Sequence, residues 1–151
     1  MNYEIVQLEE KIVVGLTART KNSDTEMPMI IGGLWNRFYQ DGVYFKIADK
    51  VNEKALGIYS DYELDEHGEY SVTVACEVRQ ASNIPDETVT RIIPAGKYAK
   101  FIVHGHVQKA VSDFWNEFWQ MDLNRSYQYD FEEYQNSDME NAEIHIYISL
   151  K

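Results

Sequence analysis

The chain has 151 residues, 44% hydrophobic and 26% charged, enough for one domain with a full core and short for two. Lys and Arg number 14 against 25 Asp and Glu, a formal charge of −11, which speaks against a phosphate-backbone binder or an anionic membrane surface and favours cationic or neutral partners. Cys76 is the single cysteine, so an internal disulfide and a cysteine-based zinc site are excluded.

The short β-branched run from Ile12 to Ala18 predicts a strand. Asn22 to Glu26 is a loop rich in helix-capping residues, and Pro28 falls in a first helical turn, where its missing N–H costs little. From Met27 to Gln40, Ile31, Leu34, Trp35 and Phe38 recur at helical spacing. Gly32 and Gly33 inside that helix each cost about 1 kcal/mol against Ala, so either a neighbour packs closely there or the helix is built to yield. Asp41-Gly42 ends it.

Leu56 to Tyr62 is expected as a strand, followed by an acidic turn to Gly68. Tyr70 to Val78 is another, with Val72, Val74, Cys76 and Val78 alternating against polar or small residues. Gln80 to Glu87 is a connection. Thr88 to Ile93, a Pro94-Ala95-Gly96 turn and Lys97 to His104 together predict a hairpin. Val107 to Gln120 is a second helix, with Val111, Phe114, Trp115 and Phe118 on one stripe. Tyr127 to Tyr134 and Glu143 to Leu150 are the last strands, joined by Asn136-Ser137-Asp138. The start, Met1-Asn2-Tyr3-Glu4, lacks the basic and apolar regions of a signal peptide, and no apolar run approaches the ~18 residues of a spanning helix. A soluble cytoplasmic protein is the expectation, with no membrane contact and no direct nucleic-acid binding.

The two helices end alike: Trp35-Asn36-Arg37-Phe38-Tyr39-Gln40 matches Trp115-Asn116-Glu117-Phe118-Trp119-Gln120. In the strands that follow, Val72, Val74, Cys76 and Val78 fall on Ile144, Ile146, Ile148 and Leu150, and Tyr59 falls on Phe131. Such self-similarity signals a duplication: strand, helix, strand, strand, twice, at about 12–78 and 97–150 of a single domain, 1–151. Each half is too small to cover its own sheet, so the predicted fold is α+β, an antiparallel sheet with both helices on one face. The other face, shared along the pseudo-two-fold, is the expected place for a central pocket. An aromatic content of 13%, with 11 Tyr and 3 Trp, suits an aromatic-lined cavity.

The duplicated unit, the Trp-Asn-x-Phe helix and the late strand motif Phe131-Glu132-Glu133-Tyr134 resemble the GyrI-like small-molecule-binding domain, the effector-binding domain of multidrug-responsive bacterial transcription regulators. The resemblance runs from Tyr3 to Leu150. It implies that Glu132 sits at the floor of an aromatic pocket and meets cationic or polar ligands, and that Tyr147 lines the same pocket. It also implies that the first long helix is a wall that shifts on ligand entry, which suits Gly32-Gly33 and brings Trp35 and Tyr39 near. Regulators of the family carry a DNA-binding helix-turn-helix before this domain; nothing precedes Tyr3 here, so a stand-alone member is expected. Stand-alone members include a gyrase-inhibiting protein and hydrolases that open cyclopropane-bearing compounds.

By strand period, Phe131 shares a face with Tyr129 and Glu133, and Glu132 with Asp130 and Tyr134. Because Phe131 and its repeat mate Tyr59 are both aromatic, their face is expected to pack on the helices and Glu132 to point to the opposite, pocket side. Tyr147, between Ile146 and Ile148, is expected on Glu132's side, with Trp115 a core anchor. A carboxylate ringed by aromatics should have a raised pKa unless a cation meets it. That suits a cation receptor, or a general acid or base with Tyr134 or Tyr147 orienting the substrate; a solvated strand carboxylate is the plain alternative. His67, His104, His106 and His145 offer no metal-ligand spacing, Asp61 to Glu66 lack that of a calcium loop, and no cofactor is expected. The expected function is binding of a cationic or amphipathic small molecule. The alternatives are hydrolysis of an electrophilic compound by Glu132 and a gyrase-type protein interaction.

Overall fold

Alternating apolar residues form the strands, and the two aromatic stripes form the long helices. The computed structural model describes all 151 residues. In chain order they form β1 (Glu4–Leu8), β2 (Lys11–Lys21), α1 (Met27–Gln40), α2 (Val43–Lys46), β3 (Ala55–Ser60), β4 (Glu69–Val78), β5 (Val89–Ile93), β6 (Gly96–Gly105), α3 (Val107–Phe118), β7 (Tyr129–Tyr134) and β8 (Ala142–Ser149). No helix is long and apolar enough to cross a membrane.

All strands join one antiparallel sheet in the order β1-β6-β8-β7-β3-β4-β2-β5. The two repeats meet at its centre, where β3 pairs with β7. Both long helices lie on one face. Leu34 and Phe38 of α1 pack on Val14, Leu16, Val72, Val74 and Cys76. Phe114 and Phe118 of α3 pack on Ala99, Phe101, Ile144, Ile146 and Ile148.

The opposite face is no open surface. Val13, Leu56, Ile58, Ala75, Ile93, Tyr98, Phe131 and Tyr147 form a third buried cluster there, with no helix over it. A flat sheet would leave this face wet; here the sheet curls and covers it with its own edges. β1 lies at one edge and β2 is next to the other, yet only Glu9 and Glu10 join them. Likewise only Pro94 and Ala95 join β5 to β6. Leu8 pairs with Gly96 and Lys11 with Ile93, so the two crossings run side by side and draw the edges together.

This overturns the expected hairpin at 88–104. β5 pairs with β2, whereas β6 pairs with β1 and β8. The chain keeps Ile93 and Tyr98 buried in the inner core by stepping from one half to the other, and the Tyr98 hydroxyl ties the crossing by donating to the Pro94 carbonyl at 2.7 Å. The expected pocket on this face is displaced for the same reason.

A methyl group at Gly32 or Gly33 would meet nothing within 4 Å, so close packing is not what these glycines serve. Gly33→Ala should therefore stabilise the helix by about 1 kcal/mol, by propensity and by lowering the entropy of the unfolded chain. For a chain of this size that raises the melting temperature by roughly 2–4 °C. A thermal melt showing a decrease would reveal a contact or motion of α1 that needs the glycine.

Candidate functional site

Glu132 stands at the centre of the sheet, paired across β3 with Gly57 and across β8 with Ile146. It is only 2% exposed. Three donors hold its carboxylate. The Tyr59 hydroxyl and the Trp115 indole N–H each reach Oε2 at 2.9 Å, and the Tyr134 hydroxyl reaches Oε1 at 2.7 Å.

The duplication explains this convergence. Ala75 corresponds to Tyr147; Leu56 pairs with Ala75, and Phe131 pairs with Tyr147. Leu56 therefore corresponds to Phe131, Gly57 to Glu132 and Tyr59 to Tyr134. The β7-to-β8 connection is shorter than its counterpart, which slips the repeat and corrects the alignment of Tyr59 with Phe131. The two tyrosines are equivalents reaching one carboxylate from either side. A methyl at Gly57 would lie 3.2 Å from Glu132 Oε1 and 3.4 Å from the Trp35 ring, so glycine on one half leaves room for glutamate on the other.

Glu132 faces the helices, and Phe131 faces away from them, the reverse of the sequence expectation. Because the curled sheet buries both faces, an aromatic residue does not mark the helical side. Tyr147 goes with Phe131: the two rings stack at 4.7 Å within the inner core, and Lys100 Nζ lies 5.9 Å from the Tyr147 centroid. Tyr147 is therefore separated from Glu132 by the sheet and lies outside the cavity.

That cavity, of about 1000 Å³, opens between α1 and α3 with Glu132 in its floor. Trp35, Tyr39 and Tyr134 line it as well. So do Tyr59, Trp115 and Trp119, for which the sequence suggested no binding role. Trp115 is a wall and a hydrogen-bond donor rather than a core anchor only. For Trp115 and Trp119 the signal was the repeat, in which they occupy the positions of Trp35 and Tyr39.

Burial pushes the Glu132 carboxyl above its ordinary value, and the bonds from Tyr134, Trp115 and Tyr59 pull it partway back. Burial and the neighbouring Glu132 push both tyrosine hydroxyls well above theirs, so they remain protonated donors. Asp130, two residues away and fully buried, differs. It accepts from Tyr62 at 2.6 Å, from the Ser149 N–H at 2.9 Å and from Arg125 at 2.8 Å. The Arg125 guanidinium lies 4.3 Å from the Tyr127 centroid. Asp130 thus has its cation inside the protein, whereas the bonds to Glu132 come only from neutral groups. No three His, Cys, Asp or Glu side chains converge to hold a metal ion.

The family described as "Cass2: Integron-associated effector binding protein" matches residues 4–150. The integron cassette protein VCH_CASS2 from the mobile metagenome of Vibrio cholerae is 31% identical; the match covers 99% of this chain and 95% of that one, with a TM-score of 0.79. SAV2435, whose structure contains tetraphenylphosphonium, is 26% identical over 100% of this chain and 94% of its own, with a TM-score of 0.81. YobU of Bacillus subtilis strain 168, provisionally named a transcriptional regulator, is 27% identical over 97% of this chain and 96% of its own.

Proposed function

The chain belongs to the Cass2 family of integron-associated effector binding proteins, and from that premise we propose that it binds a lipophilic organic cation between α1 and α3, with Glu132 as the counter-charge. One observation carries this reading: a buried carboxylate held by three neutral donors, in an aromatic cavity, without a cation of its own. A carboxylate has about four acceptor positions, and three are used, so one remains for a ligand. Aromatic faces add attraction for a cation, roughly 0.5–2 kcal/mol each and more where water is excluded. The tetraphenylphosphonium in SAV2435 supports the same ligand class.

The pH dependence follows from the raised carboxyl. A group whose pKa is higher in the folded state contributes stability that is fully present below its ordinary value. That contribution is lost as pH rises through the folded value. Cation binding has the opposite dependence, because it needs the carboxylate. Affinity for tetraphenylphosphonium, whose charge does not titrate, should climb as pH rises from the ordinary carboxylate range through the raised one, then level off. Within that window binding should release a proton, measurable by calorimetry in buffers of different ionisation enthalpy. Affinity independent of pH, with no proton released, would show that Glu132 does not supply the charge.

A further inference from the structure

The two long helices present matching aromatic pairs to the cavity. Trp35 stacks on Tyr39 at 6.2 Å and 17°, and Trp115 stacks on Trp119 at 5.3 Å and 29°. Each tryptophan also meets the tyrosine of one central strand edge-on: Trp35 with Tyr134 at 5.0 Å, and Trp115 with Tyr59 at 5.6 Å. The cage is close to two-fold, with Gly57 and Glu132 side by side at its middle.

One carboxylate cannot serve two arms equally. Oε2 already accepts from Tyr59 and Trp115, both of the α3 arm. Oε1 accepts only from Tyr134. The open acceptor position is therefore on Oε1, and Oε1 and the Trp35 ring both border the space over Gly57. Trp35, unlike Trp115, makes no hydrogen bond to the carboxylate, and its ring lies beside the open oxygen at the Gly57 position.

We propose that the arms divide the ligand: the cationic head sits on the α1 arm, against Oε1 and Trp35, and an aromatic substituent lies on the α3 arm, against Trp119. The class this selects is a cation carrying an aryl group that reaches across the centre of the cavity, in preference to a compact alkylammonium. This rests on the proposed cation-binding function.

Two probes with one head separate the arms: butyltrimethylammonium and (diphenylmethyl)trimethylammonium, titrated calorimetrically into the wild-type protein, Trp35→Leu and Trp119→Leu. Trp35→Leu should weaken both by a similar factor, about three- to tenfold. Trp119→Leu should leave the butyl compound within about twofold and weaken the diphenylmethyl compound about five- to tenfold. Trp119 is 44% exposed, so its replacement leaves the core intact. Trp35→Phe, which keeps a ring, guards against a folding defect and should recover part of the loss for both probes. Equal losses for both probes in Trp119→Leu, or a Trp35→Leu variant that binds the butyl compound normally, overturn the division of arms. If Glu132→Gln also binds both compounds like the wild-type protein, the cation-binding reading falls with it. If Glu132→Gln is impaired while the two tryptophan variants act alike, only the division fails.

Discussion

Glu132→Gln should lower the affinity for a lipophilic cation by tens of fold or more and leave the fold in place. Glutamine has the shape of glutamate, but one of its terminal atoms becomes a donor. Trp115 can only donate, so the amide oxygen must take the place of Oε2, where Trp115 and Tyr59 converge. The NH2 then takes the place of Oε1, facing a Tyr134 hydroxyl that can rotate to accept from it. The substitution thus removes the negative charge and turns a partly positive N–H toward the place of the cation. Losing one partner of a desolvated, hydrogen-bonded charge pair costs on the order of 2–5 kcal/mol, the basis for the expected factor. Thermal stability at neutral pH should hold or rise, because the ionised carboxylate of a buried acid disfavours folding there. Glu133→Gln is the control. Glu133 lies on the other side of the sheet, where it accepts from Gln135 at 2.7 Å and faces Lys54 at 3.8 Å, and its variant should bind within about twofold of wild type. Calorimetric titration of both variants decides the matter; a normal Glu132→Gln beside an impaired Glu133→Gln would move the charge to the other face. A variant that binds normally but loses turnover of an electrophilic compound would instead identify Glu132 as a hydrolytic group.

The bounds of α1 were legible because an amphipathic stripe, a proline in the first turn and Asp41-Gly42 all agreed. The duplication was legible from the helix ends. Curvature was not. Period-two alternation says which residues share a face, but not which face meets a helix, and here both faces are buried. The face of Glu132 was therefore inverted although its alternation with Phe131 was right. Tyr147 does lie on the helix-free face where it was expected, but Glu132 does not share that face with it, and the face is a closed core rather than a pocket. β1 escaped notice because it is a five-residue edge strand in which Ile5, 54% exposed, breaks the alternation that Val6 and Leu8 would show. α2 is a single turn, too short for a periodic signal. The partners of Glu132 could have been found from the repeat by asking what stands opposite it in the other half. The answer, Gly57 flanked by Tyr59, depended on a slip that only the observed register exposes.

Gly15→Ala should destabilise the protein by about 3 kcal/mol or more, at the upper end of overpacking effects, and lower the melting temperature by roughly 6–12 °C. Gly15 lies in β2 between two strands, opposite Ala75 of β4 and Val89 of β5. A methyl there would fall well inside van der Waals contact of the Val74 carbonyl oxygen and 2.6 Å from the Ala75 Cα. These are backbone atoms in a paired strand, so no rotamer change can relieve the contact, and β2 must move away from β4. Those strands also carry Val14, Leu16, Val72, Val74 and Cys76, on which α1 rests. The displacement should therefore reach the cavity wall, and tetraphenylphosphonium affinity should fall even below the melting transition. The same chemical change at Gly33, where a methyl meets nothing, is expected to act with the opposite sign. Paired thermal melts and titrations of the two variants test the argument together. A Gly15→Ala protein melting within about 2 °C of wild type would show that β2 and β4 separate without cost.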